Sequence, residues 1–211
     1  IKSVSENTIN NMPNALNGSF STLCEGRSIV GSGYHRELLY PGGSYNERCA
    51  DVVEFDRGVW RKLPSLNTPR SESASAYYNN HVIVAGGRDS GPNDFNTIEI
   101  LQMNATDTSS TFITLADTLP IKVCGHTLTP FNGKIFLIGG YVSDSGFSNA
   151  VYEGTFRNNR FSWKQVASLH QGRAGHVTIP LGNDQLMVIG GGGASKISEI
   201  FDKKSISKNS L

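Results

Sequence analysis

Val82-Ile83-Val84-Ala85-Gly86-Gly87, Ile135-Phe136-Leu137-Ile138-Gly139-Gly140 and Leu186-Met187-Val188-Ile189-Gly190-Gly191 share one form, an apolar run closed by two glycines. Leu38-Leu39-Tyr40-Pro41-Gly42-Gly43 is read as a fourth copy, and the first glycines of the pairs then lie 44, 53 and 51 residues apart. Short apolar runs rich in Val and Ile, bounded by glycine, read as buried strands. Glycine pairs mark places where the chain needs positive φ or where another backbone comes close. A recurrence of about 50 residues identifies a repeat architecture, and the repeat decides the fold.

Other marks recur in phase with these pairs. A polar loop follows each pair, and then a β-prone run: Asp51 to Asp56, Thr97 to Gln102, Ala150 to Phe156 and Ile197 to Asp202. An aromatic then opens a further strand, as Trp60 with Leu63, Phe112 with Leu115 and Trp163 with Val166. A turn leads to Arg70 or Arg173, and Gly125-His126 stands at the phase of Gly175-His176. Asn79-Asn80 and Asn132-Gly133 provide hairpin turns back into the glycine-pair strand. Hydrophobic run, Gly-Gly, Trp, then Arg and His: in this order the residues resemble the Kelch repeat family, over nearly all of residues 20 to 202. The resemblance implies an all-β fold and a role in binding or assembly rather than catalysis.

Each unit reads as four antiparallel strands, a to d, with no sustained helical period anywhere. A single twisted sheet cannot bury both faces; blades packed around an axis can. The expected fold is therefore a Kelch-type β-propeller of about four four-stranded blades, spanning residues 19–202. The units are placed at 27–63, 73–115, 124–166 and 174–202 plus 19–23. Residues 1–18 are a polar N-terminal segment and 203–211 a polar tail. Phe20 falls where Trp60 and Trp163 stand, and Gly26-Arg27 matches Gly172-Arg173. The N-terminal strand is accordingly expected to complete the last blade and close the ring, unless the units form part of a larger one. Gly42, Gly43, Gly86, Gly87, Gly139, Gly140, Gly190 and Gly191 are structural on this reading, with Trp60, Trp163, Arg173 and His176. The pairs end strand b beside the axis.

Composition is consistent with a strand-and-turn protein. The 23 glycines in 211 residues exceed the usual share of about 7%. With 19 basic and 18 acidic residues the formal net charge is +1, and no basic stripe appears, so nucleic acid is excluded as a partner. No apolar run is long enough for a membrane helix, which excludes membrane insertion by that route. The chain begins at Ile1 without a signal pattern, which leaves its compartment open. Three cysteines without a CxxC pair argue against structural zinc. A bridge between Cys24 and Cys49 is one reading and three reduced thiols another. Asn17 and Asn104 open glycosylation triplets, but 18 Asn and 37 Ser plus Thr supply about three by chance at the motif's frequency.

No catalytic constellation emerges, and neither a cofactor nor a metal is expected. The five histidines show no HxH or HExxH spacing, and His126 and His176 share a repeat phase, which favours a structural role. No serine sits in a G-x-S-x-G elbow. The b–c loops differ most between units, and such loops carry function on rigid scaffolds. They supply Tyr45 and Arg48; Arg88, Asp89, Asn93, Asp94 and Phe95; and Tyr141, Asp144 and Phe147. Arg with aromatics is the usual composition of a protein-binding patch. The expected function is a non-enzymatic module that binds a protein or glycan, or self-associates, through the face formed by the b–c and d–a loops. The resemblance admits an extracellular structural or adhesive protein and the substrate-receptor part of an intracellular adaptor. A Kelch-fold enzyme acting on a sugar, an oxidase or an isomerase, is the alternative.

Overall fold

A computed structural model describes residues 19–34, 48–89, 93–103, 110–193 and 198–202, and these contain strands and turns without a helix. The first sheet runs β1 (Phe20–Cys24), β2 (Arg27–Tyr34), β3 (Arg48–Asp56), β4 (Val59–Leu63). The second runs β5 (Ala74–Tyr78), β6 (His81–Ala85), β7 (Thr97–Gln102), β8 (Ile113–Thr118). The third takes β9 (Thr127–Phe131) and β10 (Lys134–Ile138). It then carries a small hairpin, β11 (Tyr141–Val142) and β12 (Gly146–Phe147), before β13 (Ala150–Arg157) and β14 (Arg160–Ser168). The fourth holds β15 (Val177–Leu181), β16 (Gln185–Ile189) and β17 (Ser198–Asp202). All pairings are antiparallel, and they join neighbours in sequence except that β10 pairs with β13 across the small β11–β12 hairpin; this is a four-bladed propeller arrangement.

The innermost strands pack in succession, β1 on β5, β5 on β9 and β9 on β15. Alternation along each strand sends one set of side chains to each neighbouring blade. On β6, Val82 and Val84 join Phe20, Ile29 and Val52 of the first blade, while Ile83 and Ala85 join Ile135 and Leu137 of the third. Phe136 and Ile138 in turn meet Leu186, Val188 and Phe201 of the fourth. Each fully buried Ile or Leu contributes on the order of 1.5–3 kcal/mol, so the three junctions dominate stability.

Two assignments from sequence are corrected. Phe20–Cys24 pairs with β2, Phe20 opposite Gly31 and Cys24 opposite Arg27, so it is strand a of the first blade and does not complete the fourth. Phe20 faces the second blade in the core, where an inner-strand residue belongs. The first blade's strand b is consequently β2, and Ser32–Gly33 holds the place of the glycine pair. Their φ angles, 60° and 112°, match 63° and 90° at Gly86 and Gly87. Gly42 and Gly43 lie outside the described residues. With Ser32 as the first member, the pairs recur at 54, 53 and 51 residues, a more even period than the literal Gly-Gly count.

The pairs latch one blade to the next. The N–H of Gly33 donates to the Arg70 carbonyl at 2.7 Å, that of Gly87 to Val123 at 2.9 Å and that of Gly140 to Arg173 at 2.7 Å. The acceptors precede the inner strand of the following blade, so the crowding arises at the inter-blade seam. A Cβ on Gly139 would lie 2.7 Å from the Arg173 carbonyl oxygen, and one on Gly140 would overlap the Val123 side chain.

Cys24, Cys49 and Cys124 are buried free thiols. The Cys24–Cys49 bridge is not formed: Cys24 pairs at Arg27 and Cys49 at Gly33, opposite ends of β2. Six residues of strand put them about 20 Å apart, against a disulfide limit near 7 Å.

Candidate binding face

Strand b ends and strand c begins on the same rim of each sheet, which gathers the b–c loops on one face. Arg48 opens β3, and its Nε donates to the Asp89 carbonyl of the second blade's loop at 3.0 Å. Within that loop the Asn93 amide donates to the Asp89 carboxylate at 2.9 Å. Arg88 donates to Asp94 Oδ1 at 3.0 Å. The other oxygen of Asp94 accepts from Ser143 of the third blade, 2.8 Å from its N–H and 2.7 Å from its hydroxyl. Asp94 is only 5% exposed, so its charge is held by bonds on both sides rather than by water.

Aromatic contacts continue the band. The Arg88 guanidinium lies 5.6 Å from the Tyr141 ring centroid, a cation–π distance. Tyr141 meets Phe147 edge-on at 5.6 Å, and the Phe147 ring rests against Gly192 and Gly193 of the fourth blade. Phe147 nevertheless keeps 48% exposure, a large apolar surface on an otherwise polar rim. Beside it Asn93, Lys122, Ser143 and Asp144 frame a notch of about 120 Å³.

The structure thus joins Arg48, Arg88, Asp89, Asn93, Asp94, Tyr141 and Phe147 into one band spanning four blades, with Asp144 exposed at its edge. Phe95 differs. It roofs the buried Arg70 guanidinium at 5.3 Å and bonds through its backbone to Gly87 and Val123. Tyr45 lies outside the described residues, as do Asn17 and Asn104. Sequence reasoning missed Ser143 and Lys122; Ser143 stands 49 residues after Asp94, about one repeat on, which is the only trace of their pairing.

A second concavity of about 320 Å³ opens around the axis, bordered by Ser21, Ser75, Thr129 and Thr178 with His126 and His176. Burial, with the nearby His176, pushes His126 down to about 3. Burial and the Arg173 charge push His176 down to about 4. Both are neutral at pH 7 and far weaker bases than a general base poised near neutrality. Among the described residues no cluster of three or more His, Cys, Asp or Glu could hold a metal ion.

A propeller of strand-b glycine pairs, in-phase aromatics and buried Arg residues is the class this geometry defines. No family model matches the chain. It is 25% identical to Kelch-like protein 15 of Mus musculus over 169 residues, 74% of this chain and 27% of that protein. It is likewise 25% identical to alpha-scruin of Limulus polyphemus over 172 residues, 74% of this chain and 18% of that one. It is 28% identical to the tRNA wybutosine-synthesizing protein 4 of Candida albicans over 184 residues, 83% of this chain and 26% of that one. The chain therefore spans about a quarter or less of these relatives. The solved structure of YjhT superposes with a TM-score of 0.69 at 17% identity, over 91% of this chain and 66% of that one. The chain is a Kelch-type β-propeller.

Proposed function

We propose that this propeller is a non-enzymatic protein-binding module whose b–c loop band is the docking surface. The observation that carries the reading is Asp94. By bonding Arg88 on one side and Ser143 on the other, it fixes two loops of adjacent blades relative to each other before any partner arrives. Pre-organisation of this kind lowers the ordering cost of association. Exposed Phe147 beside Tyr141 and Arg88 provides the aromatic and Arg anchors that dominate interface energies. Similarity to Kelch-like proteins at 25% identity supports a binding role. The neutral, strongly depressed histidines at the axis count against acid–base chemistry there.

The test is placement of a photo-cross-linking residue at Asp144, on the band, or at Asn158, on the c–d turn of the opposite rim. Cross-links to a protein partner at position 144 and none at 158 are expected. Adducts at 158 with none at 144 would move the docking surface elsewhere.

A further inference from the structure

The junction between blades two and three is filled with aromatic rings, and the junction between blades one and two is not. In the former, Phe156 packs on Phe161 at 4.7 Å and Phe161 stacks on Trp163 at 5.1 Å. His81 closes the column from blade two, edge-on to Phe156 at 5.3 Å. The strand registers identify the residues at these places one blade earlier. Thr114 faces Glu99 in blade two as Gln165 faces Tyr152 in blade three. Counted from those pairs, Phe112 replaces Trp163, but Ser110 replaces Phe161 and Met103 replaces Phe156. On the facing wall, Arg27, Glu54 and Arg61 of blade one replace His81, Ile100 and Ile113 of blade two. Two rings are thus exchanged for a hydroxyl and a thioether, and a largely apolar wall for a charged one.

A cavity of about 280 Å³ opens at that place, bordered by Arg27, Glu54, Arg61 and Leu63 of blade one and by Leu101, Met103 and Ser110 of blade two. Leu101 is buried and belongs to the core between these blades, so the floor is apolar. The Glu54 carboxylate is taken up by Arg27 at 2.7 Å, and Lys62 at the edge pairs with Asp51 at 3.1 Å. Arg61 is exposed, and among the described residues no carboxylate pairs with its guanidinium. The charge left over is a single cation, beside a space that phenyl rings occupy one junction on. A planar guanidinium receives a carboxylate through two parallel hydrogen bonds. The volume is close to the lower end of the ~300–1,000 Å³ typical of small-molecule sites.

We propose that this cavity binds a small aromatic carboxylate, a free molecule of one or two rings. Its ring takes the space that Phe156 and Phe161 fill in the next junction, against Leu101 and Met103, and its carboxylate meets Arg61. Arg27 follows the a–b turn of blade one and Met103 precedes the c–d turn of blade two, so the cavity opens on the rim opposite the loop band. The site is therefore independent of the docking surface proposed above.

The test is a heteronuclear NMR titration of the full chain with phenylacetate and with phenylacetamide, which has the same ring and no charge. Phenylacetate is expected to give saturable shifts centred on Arg27, Arg61 and Leu101. Phenylacetamide is expected to bind about tenfold more weakly, and Arg61→Met to weaken phenylacetate by a similar factor, as loss of a charged hydrogen bond implies. Ser110→Phe supplies one of the rings that the next junction carries. It is expected to abolish binding and to raise Tm, as cavity filling commonly does. Met103→Phe repeats that arm if Ser110→Phe does not fold. Phenylacetate shifts that do not saturate, or that centre elsewhere, overturn the proposal. Equal affinity for the acid and the amide overturns it as well, because Arg61 then reads no charge. So does binding that survives in a folded ring-filling variant, because the ligand then sits outside the cavity.

Discussion

Arg70 and Glu99 meet at 2.5 Å with both side chains wholly excluded from solvent. The pair sits inside the second blade, and its members have further partners. Arg70 donates to the Gly86 carbonyl at 2.8 Å, and Glu99 accepts the Asn67 and Thr68 N–H groups at 2.6 and 3.1 Å. Arg173 and Glu199 repeat the arrangement in the fourth blade at 2.6 Å. In the third, Val123 and Tyr152 stand at those positions, so the staple is optional for a blade that has other packing.

Arg70→Met leaves the Glu99 charge buried without its partner and is expected to cost about 3–5 kcal/mol. In a chain of this size that lowers Tm by roughly 10 °C. Glu99→Leu is expected to cost at least as much, since two backbone N–H groups also lose their acceptor. The double variant should lose less than the sum of the two in urea titrations; simple additivity would show that the pair is not coupled.

The axial histidines set an acid limit. Folded His126 and His176, at about 3 and about 4, stay neutral where the unfolded chain takes up protons near 6.5. The unfolded state therefore binds more protons below that value, and stability falls as pH drops from about 6.5 towards 4. The slope is at most about 1.4 kcal/mol per pH unit for each histidine. Glu199, held below its usual range by its bonds to His170 and Arg173 despite burial, adds its loss only at lower pH. Urea midpoints from pH 7.5 to 4.5 are expected to decline and to decline less in His126→Asn. A flat profile would mean that the imidazoles are open to solvent.

Burial raises all three thiols, Cys124 to about 12 with help from the nearby Asp94 charge. In the native protein at pH 8 a disulfide reagent is expected to titrate none of them quickly, and all three after denaturation, with or without prior reduction. Two thiols appearing only after reduction would contradict the separation along β2.

Asp94→Ala should act on binding more than on folding. It releases the Arg88 and Ser143 contacts that join two blades' loops, while the sheets and their cores are untouched. The expected result is a partner affinity reduced about tenfold or more by calorimetry, within the range for loss of a buried charged hydrogen bond. Amide exchange should be faster in residues 141–147. Unchanged exchange there would show that the loops are held by other contacts.

The pairs at Gly86, Gly139 and Gly190 were legible because three blades share both chemistry and conformation. The first blade was not, because its backbone keeps the conformation while Ser32 replaces a glycine. Its hydroxyl bonds the Arg70 carbonyl, so a side chain supports what glycine permits elsewhere. The identity of residues was read where the torsion angles carried the repeat. The misplacement of Phe20–Cys24 followed from that shift of frame. At the loop face, residue types pointed correctly to the b–c loops. Their union through Asp94 and Ser143 had no periodic signal, since hydrogen bonds between successive loops depend on where the sheets put them. Phe95 carried an aromatic of the right kind but turns inward over Arg70.

The amide donors at Gly33, Gly87 and Gly140 each end on a carbonyl belonging to the neighbouring unit, so no unit owns all the bonds that hold its own rim. Fraying one blade strips its neighbour of a bond as well as of a packed flank. The repeats should therefore lose structure together under mechanical pull or heat, as a single transition, unlike domains strung on linkers that yield one at a time.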